Sequence, residues 1–415
     1  MKQIIKFLLV FVAVGLAACK EENPVPDNPF EGPEYKDAAT MLKDGDVVLA
    51  TNRNVEKFLT EVTYVDKDWS TTRIYDYYGG FNRVKYDENG VPNENGTVVK
   101  SPKSDKPESY SIRWEKNEDK GALTLTLEEP TLKQVKQLAA GSCYVNITNL
   151  VPNTTYSYSV TYDNGGEVAA QGSFTTTGHL HQVFFSSSCR NGRDLGGWKT
   201  LDGKTVKYHK IYRGGRMNNE TVDASGKKQI LSEGIGAQLD LRGQSEVLSS
   251  ATVEGLDFCA PVIEQGGTAM LLDVNDKGVN RTKQCFEFVL NSVRAGKGVY
   301  YHCSLGRDRT GTLTILLLGV LGVPEHDISK EYEVTYFAPQ GYSVSSSETS
   351  FYDKEKGGWL FQNNRTKWVY SEVAPYFWDM AGEGGTFAQG VEKYLTTVAG
   401  VSQADVDEFR TLMLE

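Results

Sequence analysis

The chain has 415 residues, enough for two domains with proper cores, and 39 % of them are hydrophobic. Its net charge of −10 and pI near 5.2 exclude the broad basic face that nucleic-acid binding needs. No second long apolar run follows the one at the N-terminus, which predicts a soluble remainder.

Lys2 and Lys6 frame a positive start, and Phe7 to Leu16 is an apolar run too short for an ordinary transmembrane span. Leu16-Ala17-Ala18-Cys19 resembles the lipobox of bacterial lipoproteins. That resemblance implies a leader over residues 1–18, lipid on Cys19, and a membrane-anchored protein on the periplasmic side or the cell surface of the outer membrane. A plain cleaved leader with an incidental cysteine is the competing reading. Residues 19–36 carry Pro24, Pro26, Pro29 and Pro33 among acidic residues and asparagines, and read as an extended tether.

From 37 to 178 the texture is β. Glu61–Val65, Ser109–Trp114, Leu123–Leu127, Tyr144–Ile147 and Tyr156–Tyr162 alternate as half-buried strands do. The segment from Asn93 to Pro107 reads as a loop. Asn149 to Val160, followed by Gly172-Ser173-Phe174-Thr175-Thr176, resembles the closing strands of a fibronectin type III domain. The resemblance implies an all-β, immunoglobulin-like sandwich with Tyr156 at the tyrosine-corner position. A spacer holding the next domain off a membrane is favoured over a binding module, since no binding constellation is visible.

From 179 to 415 the pattern turns mixed α/β. Ala237–Leu241 reads as a short buried strand. Arg281 to Arg294 reads as an amphipathic helix with Phe286, Val289, Leu290 and Val293 on one face. Gly296-Lys297-Gly298 ends it and leads to the apolar run Gly298-Val299-Tyr300-Tyr301. Then comes His302-Cys303-Ser304-Leu305-Gly306-Arg307-Asp308-Arg309-Thr310-Gly311, and a second apolar run from Leu313 to Leu321. Strand, tight loop and helix in that order build an anion cradle from backbone N–H groups and a helix N-terminus. Ser304 to Arg309 would line it. Arg309 would grip two phosphate oxygens with its planar fork. Cys303 at the base would ionise below the ordinary thiol value of about 8.5 and act as a nucleophile on phosphorus. Gly306 permits the tight curvature.

Cys303 to Arg309 matches the C-x5-R signature of cysteine-dependent phosphatases, and the longer stretch resembles the bacterial tyrosine-phosphatase family 3. Asn191-Gly192-Arg193-Asp194-Leu195-Gly196-Gly197 resembles that family's N-x-R-D-L-G-G motif. Tyr212-Arg213-Gly214-Gly215 is similar to its aromatic-Arg-Ser-Gly element, and Leu239-Asp240-Leu241-Arg242 with Glu246 to its D-L-R-x-x-x-E segment. The resemblance covers about residues 185 to 325. Gly214 departs from the usual serine and Arg307 from the commoner lysine.

The resemblance implies an α/β cysteine-phosphatase domain, a central sheet flanked by helices. It implies hydrolysis of phosphotyrosine or phosphoinositide through a phosphocysteine. Asp308 is the first choice for general acid and Asp240 the runner-up, with a structural role beside Arg242 or Arg213 as its competing reading. Thr310 would stabilise the departing thiolate, and His302 would hold the loop rather than serve as a base. Asp194, Gly196 and Gly197 would brace the loop from behind or form a plain turn, with Arg193 and Arg213 as further supports. Arg307 would add a second charge at the loop rim and engage extra phosphates. No cofactor or metal is required, and His179-x-His181 alone is a weak ligand signal. Cys143, Cys189, Cys259 and Cys285 could pair, but spacing does not say which.

After residue 322 the sequence predicts a helix starting at Pro324-Glu325-His326-Asp327, an insertion from Tyr342 to Asp379, and helix from Phe387 to Leu414. Two other functions stay open: a phytase-like inositol polyphosphate phosphatase, and a surface adhesion protein with a vestigial phosphatase domain.

Overall fold

The computed structural model describes residues 40–61, 66–67, 85–86, 97–98, 106–185, 189–218, 222–338, 350–353, 358–361 and 372–415. The leader, Cys19 and the tether lie outside the described residues, as do 62–65 of the expected Glu61–Val65 strand and most of the Tyr342–Asp379 insertion. No helix among the described residues is long and apolar enough to cross a membrane.

The N-terminal part holds two sheets. One joins β1 (Thr40–Met41), β5 (Tyr110–Arg113) and β8 (Tyr144–Ile147) in that order. The other runs β2 (Asp46–Leu49), β10 (Val168–Thr177), β9 (Thr155–Tyr162), β6 (Leu123–Glu128), β7 (Lys133–Leu138). Two short strands, β3 (Lys85–Tyr86) and β4 (Thr97–Val98), pair separately. Strict alternation puts Leu123, Leu125 and Leu127 of β6 inward beside Tyr156, Tyr158 and Val160 of β9. Tyr110, Ile112, Val145 and Ile147 meet them from the other sheet in one core. The Tyr156 hydroxyl accepts a hydrogen bond from the Val151 backbone N–H at 2.8 Å, and its ring stacks on Phe174 with centroids 5.2 Å apart. β7 has no hydrophobic alternation to reveal it. It is a charged, mostly exposed edge strand.

A helix interrupts the β texture. In α1 (Arg53–Glu61), Val55, Phe58 and Leu59 fall on one face, and all are buried in the core of the α/β part. Phe58 meets Phe337 with ring centroids 5.6 Å apart. Glu61, expected in a strand, therefore ends a helix. The two parts are also joined by hydrogen bonds, among them Asn52 N–H to Gln182 Oε1 at 2.8 Å and Phe184 N–H to Asn149 Oδ1 at 2.9 Å.

The α/β part centres on a five-stranded sheet. Its order is β11 (Arg193–Asp194), β12 (Ile211–Gly214), β15 (Gly298–His302), β13 (Ile235–Asp240), β14 (Asp257–Cys259), parallel throughout except β11. All five residues of β15, the middle strand, are buried, as a parallel strand covered on both faces must be. Val299 and Tyr301 enter the larger core, while Tyr300 enters a smaller one beneath α2 (Ala224–Ser232). The short α3 (Thr268–Leu272) precedes α4 (Arg281–Arg294), whose Phe286, Val289, Leu290 and Val293 are buried as its spacing requires. β15 feeds α5 (Asp308–Leu321), a helix apolar all round and buried from Thr310 to Leu321. Then come α6 (Glu325–Val334), the hairpin β16 (Ser350–Asp353) and β17 (Gly358–Phe361), α7 (Ala374–Ala381), α8 (Phe387–Tyr394) and α9 (Gln403–Met413). Among the described residues Cys143, Cys189, Cys259, Cys285 and Cys303 form no disulfide.

Candidate active site

The loop from Cys303 to Arg307 leaves the carboxyl end of the middle strand, where open parallel sheets place their ligands. Three consecutive carbonyls of this loop are held from outside. Ser304 O accepts from the Arg216 backbone N–H at 3.3 Å. Leu305 O and Gly306 O accept from Asn191 Nδ2 at 3.3 and 2.8 Å. Gly306 O also accepts from Arg213 Nη2. In a trans peptide the C=O and N–H point opposite ways, and the chain contains no cis bond among the described residues. Anchoring these oxygens therefore turns the N–H groups of Leu305, Gly306 and Arg307 to the other side.

Gly306 has φ +69°, and a Cβ there would collide with the Gly214–Gly215 backbone. Gly214 is explained by the same packing. The Tyr300 hydroxyl, which donates to Gly215 O at 2.9 Å, occupies the place that a side chain on residue 214 would take.

Cys303 is 3 % exposed. Burial pushes its thiol up, but the Arg309 charge and the neighbouring Thr310 outweigh it, leaving the pKa below its ordinary value. Arg309 Nη1 donates to Ile263 O at 3.0 Å, and its Nη2 lies 3.7 Å from Glu246 Oε2. The same Glu246 oxygen accepts from Ser304 Oγ at 2.5 Å. Asp308 opens α5, with Arg307 Nε 3.4 Å from its Oδ1. Arg307 does not stand at the rim as its position suggested. It is 5 % exposed, with its Nε 3.4 Å from Asp308 Oδ1.

His302 is fully buried. The Thr252 backbone N–H donates to Gln238 Oε1 at 2.7 Å, which fixes the amide's orientation. Gln238 Nε2 must then donate to His302 Nε2, 2.9 Å away, leaving the ring proton on Nδ1 beside Cys303 O at 3.3 Å. Burial lowers the His302 pKa to about 4, so the ring is a neutral anchor. Asp240 is spoken for. Arg242 Nε and Nη2 donate to its two oxygens at 2.9 and 2.7 Å, and Leu248 N–H adds a third bond at 2.9 Å. Burial pushes this carboxyl up, but the bonds and charge of Arg242 and the Leu248 N–H bring it below its ordinary value.

The brace behind the loop is built from two buried arginines. Arg193 Nε donates to Glu331 Oε1 at 2.5 Å, its Nη2 to Glu331 O at 2.8 Å, and its Nη1 to Asn191 Oδ1. Arg213 Nη1 donates to Glu331 Oε2 at 2.9 Å and to Thr314 Oγ1 at 3.0 Å. Burial and the neighbouring Arg213 charge lower the Arg193 pKa to about 10. The aspartate of the same motif faces elsewhere. Asp194 accepts from the backbone N–H of Gly196 at 2.8 Å and of His209 at 2.6 Å. Gly196 and Gly197 pack on Tyr208, so of the two expectations for this trio the plain turn is what forms. Gln238, Glu331, Thr335 and Thr314 carry no local signature. Glu331 meets its arginines across 138 and 118 residues of chain.

His181, Asp194 and His209 gather within metal-ligand reach of one another. Both ring nitrogens of His181, however, face oxygens that can only accept, Asn149 O at 3.0 Å and Asp194 Oδ2 at 3.2 Å. Nε2–H on Asn149 O leaves only Nδ1 able to face an ion, and Asp194 Oδ2 already meets it. His179 turns away to Glu56, Nδ1 to Oε1 2.6 Å.

A sequence model described as tyrosine phosphatase family matches residues 186–415, more than half of the chain. The chain belongs to the tyrosine phosphatase family. A Cupriavidus necator protein named as a tyrosine-protein phosphatase is 29 % identical over 173 residues, 37 % of this chain and 62 % of the relative. The chain thus spans less than two thirds of that relative's length. Among solved structures, Tk-PTP in the active form shares 16 % identity at TM-score 0.24, covering 34 % of this chain and 88 % of the other. PTPMT1 in complex with PI(5)P also shares 16 % identity, at TM-score 0.21, covering 34 % and 85 %.

Proposed function

We propose that this family member hydrolyses phosphate monoesters through a phosphocysteine on Cys303. The observation that carries the reading is a thiol held acidic by Arg309 and Thr310 at the foot of a loop whose peptides are turned by outside donors. The N–H groups of Leu305, Gly306 and Arg307 and the start of α5 form the cradle for three phosphate oxygens. The Cys303 sulfur forms a bond to phosphorus as the P–O bond to the leaving group breaks. Asp308 gives its proton to that oxygen. Water then attacks phosphorus, its proton passes to the Asp308 carboxylate, and the P–S bond breaks to return the thiolate beside Thr310. Arg309 leaves its resting bond to Ile263 O and stabilises the equatorial oxygens in both steps. Asp240, saturated by Arg242, is left out of the proton path, and His302 acts only through the loop.

Phosphotyrosine-type monoesters and polyphosphorylated substrates both remain open, since the cradle takes the one phosphate they share. A panel of phosphotyrosine peptide, phosphoinositide and phytate decides between them. The core experiment is hydrolysis of an aryl phosphate by wild type and Cys303→Ser with a chelator present. Activity in the serine variant, or its loss on chelation in the wild type, would overturn the mechanism, and no turnover with any phosphate ester would favour the vestigial reading.

Two sequence readings complete the proposal. The two-sheet part is an immunoglobulin-like sandwich of fibronectin III type, supported by the Tyr156 to Val151 bond. Cys19 anchors the protein to a bacterial membrane. Mass spectrometry of the mature N-terminus, finding an unacylated residue, would remove the anchor.

A further inference from the structure

Glu331 belongs to none of the motifs that mark the site, yet both buried arginines of the brace end on it. Arg193 and Arg213 are 1 % and 0 % exposed, and Glu331 is fully buried between them. Each of its carboxylate oxygens takes one guanidinium, Oε1 from Arg193 at 2.5 Å and Oε2 from Arg213 at 2.9 Å. Two cations this close would repel without an anion between them. With their inner nitrogens fixed, the outer ones reach the loop: Arg213 Nη2 directly on Gly306 O, Arg193 Nη1 through Asn191, whose Nδ2 reaches the same oxygen at 2.8 Å. Thr335 Oγ1 closes the cage, within hydrogen-bond reach of Asn191 Nδ2 at 3.1 Å, Arg193 Nη2 at 3.3 Å and Arg213 Nη2 at 3.4 Å.

We propose that Glu331 is a positioning residue for catalysis: it clamps Arg193 and Arg213 so that the Gly306 carbonyl stays turned outward and the Arg307 N–H stays turned to the phosphate. The substrate never touches it. The clamp rests on the phosphate-loop reading above and adds the residue that holds the loop's working shape.

Two roles for Glu331 predict opposite signs. If it acted only as a nearby negative charge, removing that charge would make the Cys303 thiol more acidic. If it acts by positioning, removal lets the 306–307 peptide swing, the cradle loses an inward N–H, and the thiol becomes less acidic. The test follows alkylation of Cys303 by neutral iodoacetamide against pH in the full chain, read by mass spectrometry of the Cys303 peptide. Inorganic phosphate is added as protecting ligand. Glu331→Gln is expected to raise the pH midpoint of alkylation and to weaken phosphate protection about tenfold or more. Thr335→Val removes the hydroxyl that three bracing donors share. It is the milder second variant should Glu331→Gln fail to fold, and is expected to move both readouts in the same direction by less. A lowered or unchanged midpoint with undiminished protection, in whichever of the two variants folds, overturns the clamp. Failure of phosphate to protect the wild type would instead strike the phosphate-loop reading itself.

Discussion

His181 and Asn149 add a buried hydrogen bond to those that tie the two parts of the chain together, ring Nε2 to carbonyl oxygen at 3.0 Å. The other nitrogen lies 3.2 Å from Asp194 Oδ2, so both face oxygen acceptors in a fully buried place, which favours the charged ring. Burial opposes that charge, but the bond to Asp194 and the field of Glu233, whose Oε2 lies 3.8 Å from Nε2, raise the pKa above 6.5. The rings of His209, Tyr208 and Tyr212 complete the surround, with Glu129 beyond at 3.2 Å from His209 Nε2.

The sign of the pH effect follows from that raised value. The His181 contribution is complete below pH 6.5 and fades as pH climbs through the higher folded value. Loss of one charged hydrogen bond costs about 1.5–3 kcal/mol. Thermal unfolding of the wild type should therefore lose stability as pH rises beyond 6.5, and His181→Gln should start lower and slope less. Parallel curves for the two proteins would contradict the imidazolium assignment.

Asp308→Asn and Asp240→Asn should separate cleanly. The first removes the proposed acid and should lower kcat about 10²- to 10⁴-fold for poor leaving groups, with little effect on good ones. The second breaks a buried pair with Arg242 and should cost about 3–5 kcal/mol in stability with no leaving-group dependence. A series of aryl phosphates of graded leaving-group pKa reads the difference.

Arg309→Lys keeps the charge but loses the fork. It should reduce kcat by about 10²-fold or more, since a lysine cannot hold two equatorial oxygens in one plane. Steady-state hydrolysis of an aryl phosphate within threefold of wild type, a roughly 0.6 kcal/mol change, would contradict the bidentate role.

Gly214→Ser restores the commoner residue and should be harmful here, because the Tyr300 hydroxyl fills that space. The expected loss is about 1–3 kcal/mol from overpacking. Tyr300→Phe in the same chain should recover part of it. A double-mutant cycle by denaturant unfolding that shows no coupling between the two positions would refute the steric account.

Local signals explain what was legible from sequence. Arg281 to Arg294 is a helix over the expected span, and Tyr144–Ile147 a strand, because each repeats its apolar residues at its own period. Cys303, Thr310 and Arg309 stand together because seven or eight consecutive residues are enough to build a loop. α1 escaped notice since only nine residues and three apolar side chains mark it, inside a region of β texture. Glu331 and Gln238 escaped because their roles exist only once distant segments meet. The low exposure of Arg307 was likewise not legible, since a contiguous motif tells which residue is present and not what covers it.

The seating of α1 sets a timetable for biogenesis. Phe58 leaves the ribosome early, but Phe337, against which it rests, comes close to the end of synthesis. The N-terminal strands can pair among themselves meanwhile, whereas this helix must wait, uncovered, for nearly the whole polypeptide. Cleaving the gene between the two parts would leave the enzyme half with an unfilled seat where Val55, Phe58 and Leu59 belong.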